Sequence, residues 1–244
     1  MKKINMILAA FGALLMLSVS VTSANSVEIR AGVSASAMGA YANAKETLKG
    51  DGSGTGDQTG RTTEAEAVLA TSFASIFAEV SSEDLMGLGL GISYAPEVAD
   101  LNKETRHIAN PNTSDSGNDT DGGVQAVDAK INDLISVYLK LPVPGSNGAY
   151  FKAGYIQATM VTEESLATGS KYADVDMTGM ELAGGYEGSL GDMAFWRAEG
   201  SYQMWDDLRA DGSEPNRGTG DTTKNRIDAE IGSVTGTLSL GMKF

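Results

Sequence analysis

The chain has 244 residues, with 32 acidic side chains against 18 basic ones, a formal charge of −14, and no cysteine. Such an excess of acid excludes nucleic acid as a partner, because phosphate neutralisation needs clustered Lys and Arg. The lack of Cys excludes a disulfide framework and a lipid anchor carried on a cysteine.

The first element is a leader. Lys2 and Lys3 precede an almost unbroken apolar run from Met6 to Val21, and Thr22, Ser23 and Ala24 supply small residues for cleavage after Ala24. A membrane-anchoring helix is the weaker reading, because the run is short and polar strand-like sequence follows at once. Removing residues 1–24 takes away two lysines and no acid, so the mature charge falls to about −16. Residues 25–244 suffice for one domain, and no later stretch approaches the ~20 apolar residues of a membrane helix.

Eight segments alternate in polarity with a period of two, the signature of strands with one oily face. In the first, from Val27 to about Ala37, Val27, Ile29, Ala31, Val33 and Ala35 oppose Glu28, Arg30, Gly32 and Ser34. The second lies near Val68 to Val80, and its facing stays open because Phe73 and Phe77 compete with Ile76 and Val80. In the third, Leu88, Leu90, Ile92 and Tyr94 alternate with Gly87, Gly89, Gly91 and Ser93. The fourth, Ile131 to Leu141, sets Ile135, Val137, Leu139 and Leu141 against Ser136, Tyr138 and Lys140. The fifth, Ala149 to Val161, sets Phe151, Ala153 and Tyr155 against Lys152 and Gly154. The sixth, about Met177 to Tyr186, places Met180, Leu182 and Tyr186 opposite Glu181. The seventh, Met193 to Met204, places Trp196, Ala198 and Tyr202 opposite Arg197 and Glu199. The eighth, Ser233 to Phe244, is the cleanest: Val234, Gly236, Leu238, Leu240, Met242 and Phe244 against Ser233, Thr235, Thr237, Ser239, Gly241 and Lys243.

The connections alternate long and short. Long polar stretches are expected at about 42–64, 97–123, 162–176 and 206–226. Short turns are expected at 81–84, 142–148 and 187–192. That segregation, with an even number of strands, predicts an all-β fold: a closed antiparallel up-and-down transmembrane barrel of about eight strands. A ten-stranded variant needs an extra hairpin within 42–64, where only Gly-rich spacing is seen.

The alternating strand Leu238, Leu240, Met242, Phe244 resembles the C-terminal signature of outer-membrane barrels, which the barrel-assembly machinery reads. The whole mature chain resembles the small eight-stranded outer-membrane barrels of the OmpA/OmpX type. Its strands Tyr150-Phe151-Lys152-Ala153-Gly154-Tyr155 and Gly87 to Tyr94 are particularly like marine proteobacterial members. The resemblance implies export to a bacterial outer membrane with lipid as the surrounding partner. A second periplasmic domain after Phe244 is not expected.

Within that fold the polar faces place Glu28, Arg30, Lys140, Lys152, Glu181, Arg197, Glu199 and Lys243 inside the barrel, with Glu79 a further candidate. Facing lipid, each Lys or Arg would cost ~2–4 kcal/mol near the midplane. Eight strands enclose a space just wide enough for side chains, so a salt-bridged plug is favoured over a lining for a narrow ion path. Most of the acidity lies in the long segments, which, with the second taken from Glu97 to Asp128, carry −10 of the mature charge. Asp115, Asn118, Asp119, Asp121, Gly122 and Gly123 are faintly spaced like a calcium loop, but the bidentate acid such a loop requires is missing. Weak collective binding of divalent cations is the most that follows. The only histidine, His107, lies in a long loop, and Ser165 follows Glu163 and Glu164 with no histidine nearby, so no catalytic site and no cofactor is read. Tyr41, Tyr94, Tyr155, Tyr186, Trp196, Tyr202 and Phe244 fall near strand ends, where interfacial belts form; Tyr138 faces inward and Trp205 marks the outer rim. A non-enzymatic surface protein with long acidic loops is the leading expectation. A narrow porin-like passive channel and a loop-mediated adhesin or receptor are the alternatives.

Overall fold

The computed structural model describes residues 27–49, 62–100, 104–108, 123–165, 172–212 and 224–244. The leader expected at 1–24 and the calcium-like stretch 115–122 lie outside them. Among the described residues ten antiparallel strands are formed: β1 (Val27–Lys49), β2 (Thr62–Ser82), β3 (Leu88–Asp100), β4 (Glu104–Ile108), β5 (Gly123–Pro142), β6 (Ala149–Ser165), β7 (Val175–Leu190), β8 (Ala194–Trp205), β9 (Leu208–Asp211) and β10 (Lys224–Lys243). The hydrogen-bonded order is β1-β2-β3-β5-β6-β7-β8-β10, and β10 returns to β1 with Arg30 opposite Lys243. Eight strands therefore close into a ring, as the alternation predicts. The two short strands stand above it, β4 on β5 and β9 on β10.

Three short turns and the strand end at Phe244 gather at one end of the ring, and the long connections leave from the other. The long connections are shorter than expected. β1 and β2 stay paired up to Thr47 opposite Thr62, so much of 42–64 is strand. β4 and β9 likewise occupy parts of 97–123 and 206–226. The cause is visible in the exposure pattern: Thr62 to Val68 are exposed at every position. With water on both faces there is no polarity contrast for alternation to reveal.

The last turn also differs. β7 continues to Leu190, so Glu187 belongs to a strand rather than to a turn. It follows Glu181, Ala183 and Gly185 at two-residue spacing and shares their inward direction. Gly148, at φ +109, lies so near the Glu187 carbonyl that any side chain there would collide with it. Only glycine fits both the conformation and the space.

Outward positions are apolar around the ring: Val33, Leu139, Phe151, Leu182, Leu238 and Leu240 are all exposed. The facing of β2 is settled by the same parity. Ile76 is exposed, whereas Phe77 and Glu79 are buried inside with Phe73 on their side. Ile92 keeps the expected outward parity on β3 yet is buried.

Candidate functional site: the occluded barrel interior

Inward residues form three layers. The lowest, toward the short turns, is built on Glu79, whose side chain is 0% exposed. Lys140 Nζ lies 2.6 Å from its Oε1 and Arg197 Nη2 3.1 Å from its Oε2. Glu187 bridges the same bases, 3.0 Å from Lys140 and 3.1 Å from Arg197, and accepts from Arg30 Nη1 at 2.6 Å. Arg30 also donates to Glu28 below it. Beside this layer Lys152 contacts Glu199, and its Nζ lies 2.8 Å from Glu181 Oε1. The latter is an ion contact without hydrogen-bond geometry, since that oxygen has no hydrogen-bond partner.

Rings fill the space between the charges. The Tyr138 hydroxyl donates to Glu79 at 3.3 Å and the Tyr150 hydroxyl to Glu199 at 2.9 Å. The Lys152 ammonium sits 4.9 Å from the Tyr138 ring centre, and the Arg197 guanidinium packs on Phe77, Tyr150 and Phe195 at 5.3–5.4 Å. Such cation–π contacts soften the desolvation of a buried base. The glycines of β3 now have a reason. A side chain at Gly91 would strike the Tyr138 ring, and one at Gly89 would come 3.2 Å from Glu79 Oε1.

Of the charges expected inside, Arg30, Lys140, Lys152, Glu181, Arg197 and Glu199 point into the ring, and two lie at its edge. Glu28 lies at the rim, about one-third exposed. Lys243 is half-buried and, with Glu187 and Phe195, lines a recess at the short-turn end. Sequence reasoning missed Glu187 as an interior group and left Glu79 open. Adding both gives five acids facing five bases, the balance that a low-dielectric filling requires. The signal for Glu187 was present in its two-residue spacing from Glu181. It was masked by the Gly-Ser pair that follows, which reads as a turn.

Above the ion pairs lies a small polar chamber of about 60 Å³ ringed by hydroxyls, among them Ser34, Ser36, Ser136, Thr235 and Ser239. A hydrogen-bonded chain crosses it: Trp205 Nε1 donates to Ser233 Oγ, Ser233 to Gln203 Oε1 at 2.7 Å, and Gln203 Nε2 to Glu181 Oε2 at 2.9 Å. Trp205 thus sits at the outer end of β8, as expected, and points inward.

The third layer corrects the expectation of a polar filling throughout. Met38, Ala95, Val98, Leu134, Ile156 and Ala158 form a buried apolar cluster. Met177, Leu208 and Ala229 form a second, with Trp205 packed against both. Leu208 reaches this position because β9 folds back along β10, held by Arg209 with Asp228 at 2.9 Å and Arg226 with Asp211 at 2.6 Å. The Arg226 guanidinium holds the Asp211 carboxyl below its ordinary range. These pairs are exposed and contribute little each.

Outside the ring, Tyr41 and Tyr202 meet hydroxyl to hydroxyl at 3.2 Å near the upper edge of the apolar band, and Tyr186 and Trp196 pack at 5.9 Å toward the lower. Tyr94 donates to Asp133 at 2.7 Å, beside a bulge where Asp133 takes φ +57. His107 lies on β4 and Ser165 ends β6, but their side chains are outside the described residues. Among the described residues, no group of three or more His, Cys, Asp or Glu could hold a metal.

No family model and no curated protein matches the chain. Solved structures do. OprG of Pseudomonas aeruginosa, an outer membrane protein, is 15% identical, with 86% of this chain and 95% of that one covered and a TM-score of 0.41. Ail, the attachment invasion locus protein of Yersinia pestis, is 12% identical over 87% and 99%, with a TM-score of 0.35. The outer membrane protease OmpT of Escherichia coli is 12% identical over 89% and 97%, with a TM-score of 0.42. What those proteins attach to or cleave belongs to them.

Proposed function

We propose that the chain is an integral outer-membrane barrel of non-enzymatic, structural and surface character, exported behind a cleaved leader. The observation that carries this reading is the closed ring itself, with exposed apolar side chains outward and ion pairs inward. In hydrocarbon every backbone group must be paired within the protein, and a closed barrel is one of two ways to do it. Along β1 the thirteen residues from Ile29 to Tyr41 climb roughly 30 Å at ~3.3 Å per residue step and the usual tilt, enough for an apolar band of ~25 Å. Lipid is then the principal partner. The outward row Leu238, Leu240, Met242 and Phe244 is the surface offered to the barrel-assembly machinery.

The filling favours a plug over a pore. An aqueous path would have to cross the Glu79–Lys140–Arg197 layer and then the apolar clusters around Ile156 and Met177. The surface reading has its own support: β1, β2 and β10 extend well past Tyr41, carrying acidic residues outward. Loop-borne recognition and collective divalent-cation binding there belong to the proposal. Reconstituted in planar bilayers, the native protein is expected to pass no discrete current steps. Steps that change in size with Arg197→Gln would replace the plug with a narrow channel.

A further inference from the structure

Two of the three short turns carry apolar side chains that the protein leaves uncovered. Leu85 and Met86 between β2 and β3, and Leu190 and Met193 around the β7–β8 turn, are all exposed. The β5–β6 turn differs, being polar at its tip, where Ser146 Oγ donates to the Val143 carbonyl at 2.7 Å. Met86 is unusual twice over. Its side chain is 86% exposed, and its backbone takes φ +58, followed by Gly87 at +78. Consecutive left-handed residues in a tight turn are ordinarily Asn, Asp or Gly, because a larger side chain there crowds the backbone. A residue disfavoured by both its conformation and its exposure to water implies an apolar contact outside the chain.

We propose that the phospholipid headgroup layer of the membrane's inner leaflet covers these two turns, so that Leu85, Met86, Leu190 and Met193 sit among lipid rather than in bulk water. The inference rests on the membrane-spanning reading and extends it. Continuity favours lipid as the occupant: Leu190 lies on the same outward row of β7 as Leu182 and Tyr186, which are exposed in the apolar band. Met193 is the last residue of the turn that ends this row. Two small, separated pairs cannot supply the ~800 Å² per partner that a stable protein interface buries. Asp192 lies between Leu190 and Met193, which suits headgroups bearing an ammonium.

The chain has no cysteine, so single introduced thiols can be labelled without background. Nitroxides on Met86→Cys, Met193→Cys, Leu238→Cys and Ser146→Cys are to be compared in phosphatidylethanolamine-containing vesicles by accessibility to oxygen and to a water-soluble nickel chelate. The oxygen-to-nickel ratio at Met86 and Met193 is expected to exceed that at Ser146 several-fold, with Leu238 higher still. Water-like values at Met86 and Met193 beside a lipid-like Leu238 would overturn the docking of the turns and leave the membrane reading intact. A water-like Leu238 would overturn both. Labels at Met86 and Met193 shielded from both reagents would assign these turns to a protein partner and overturn the proposal.

Discussion

Replacing Glu79 with Gln is expected to lower the unfolding free energy by ~3–5 kcal/mol, the usual cost of removing one partner from a buried ionic cluster. The size follows from position. Glu79 is fully buried and is the closest acid to Lys140, and it also faces Arg197 and Arg30. Without its charge, Lys140 and Arg197 are left with Glu187, which Arg30 shares between it and Glu28, and the Tyr138 hydroxyl loses its charged acceptor. Gln conserves the volume, so the loss reports charge rather than packing. Removing the facing base at the same time, as Glu79→Leu with Lys140→Met, should restore a large part of the stability, because Arg197 and Arg30 keep Glu187. Urea titration of the refolded protein in lipid vesicles measures both variants. A loss below ~1 kcal/mol for Glu79→Gln would mean that water already solvates this layer, contrary to a plug.

Leu238→Arg is expected to cost ~2–4 kcal/mol by the same titration, and Met242→Arg no more than ~1 kcal/mol. Leu238 lies midway along the outward row that runs from the level of Tyr41 down to Phe244, opposite Ala35 on β1 and Ala198 on β8, and it is 67% exposed. In water, placing Arg on so exposed a site would be nearly neutral. In hydrocarbon the cation must lose its hydration or distort the bilayer. Met242 is nearer the boundary, where a long basic side chain can reach the headgroups. The difference between the two sites therefore measures depth, not merely tolerance of charge. Equal and small effects at both would place this face in water.

The sequence makes the membrane-facing half of the protein legible and the rest only in part, for one physical reason. Period-two reading depends on contrast between the two faces of a strand. Along Ser233 to Phe244 one face meets lipid and the other lines a polar interior, so the pattern is unbroken. In β2 the contrast fails, because Phe77 packs inside against Arg197 and Phe73 against the inner apolar cluster while Ile76 faces out, and both faces read as oily. Above Val68 it fails the other way, since every position from Thr62 to Val68 is exposed, and Ala42 to Lys49, where the small Ala44 is what packs on the inner cluster, reads as loop. The inner apolar clusters are hidden for a related reason. On β6 the oily face changes sides, from outward Phe151, Ala153 and Tyr155 to inward Ile156 and Ala158 opposite Gln157 and Thr159, and Leu208 arrives from a separate short strand. Within the apolar band the direction of a charge is legible because cost fixes it: a Lys or Arg there has only the interior to enter. Glu187 escaped because a turn signal overrode the parity that it satisfies.

The division between a lipid-facing skin and a packed interior is tested most directly on β10. Single cysteines at each position from 233 to 242, nitroxide-labelled in vesicles, should show oxygen accessibility alternating along the strand. Even positions such as Val234, Leu238 and Leu240 are expected to be high, and odd ones such as Ser233, Thr235 and Ser239 low. A flat profile, or one with the odd positions high, would contradict it.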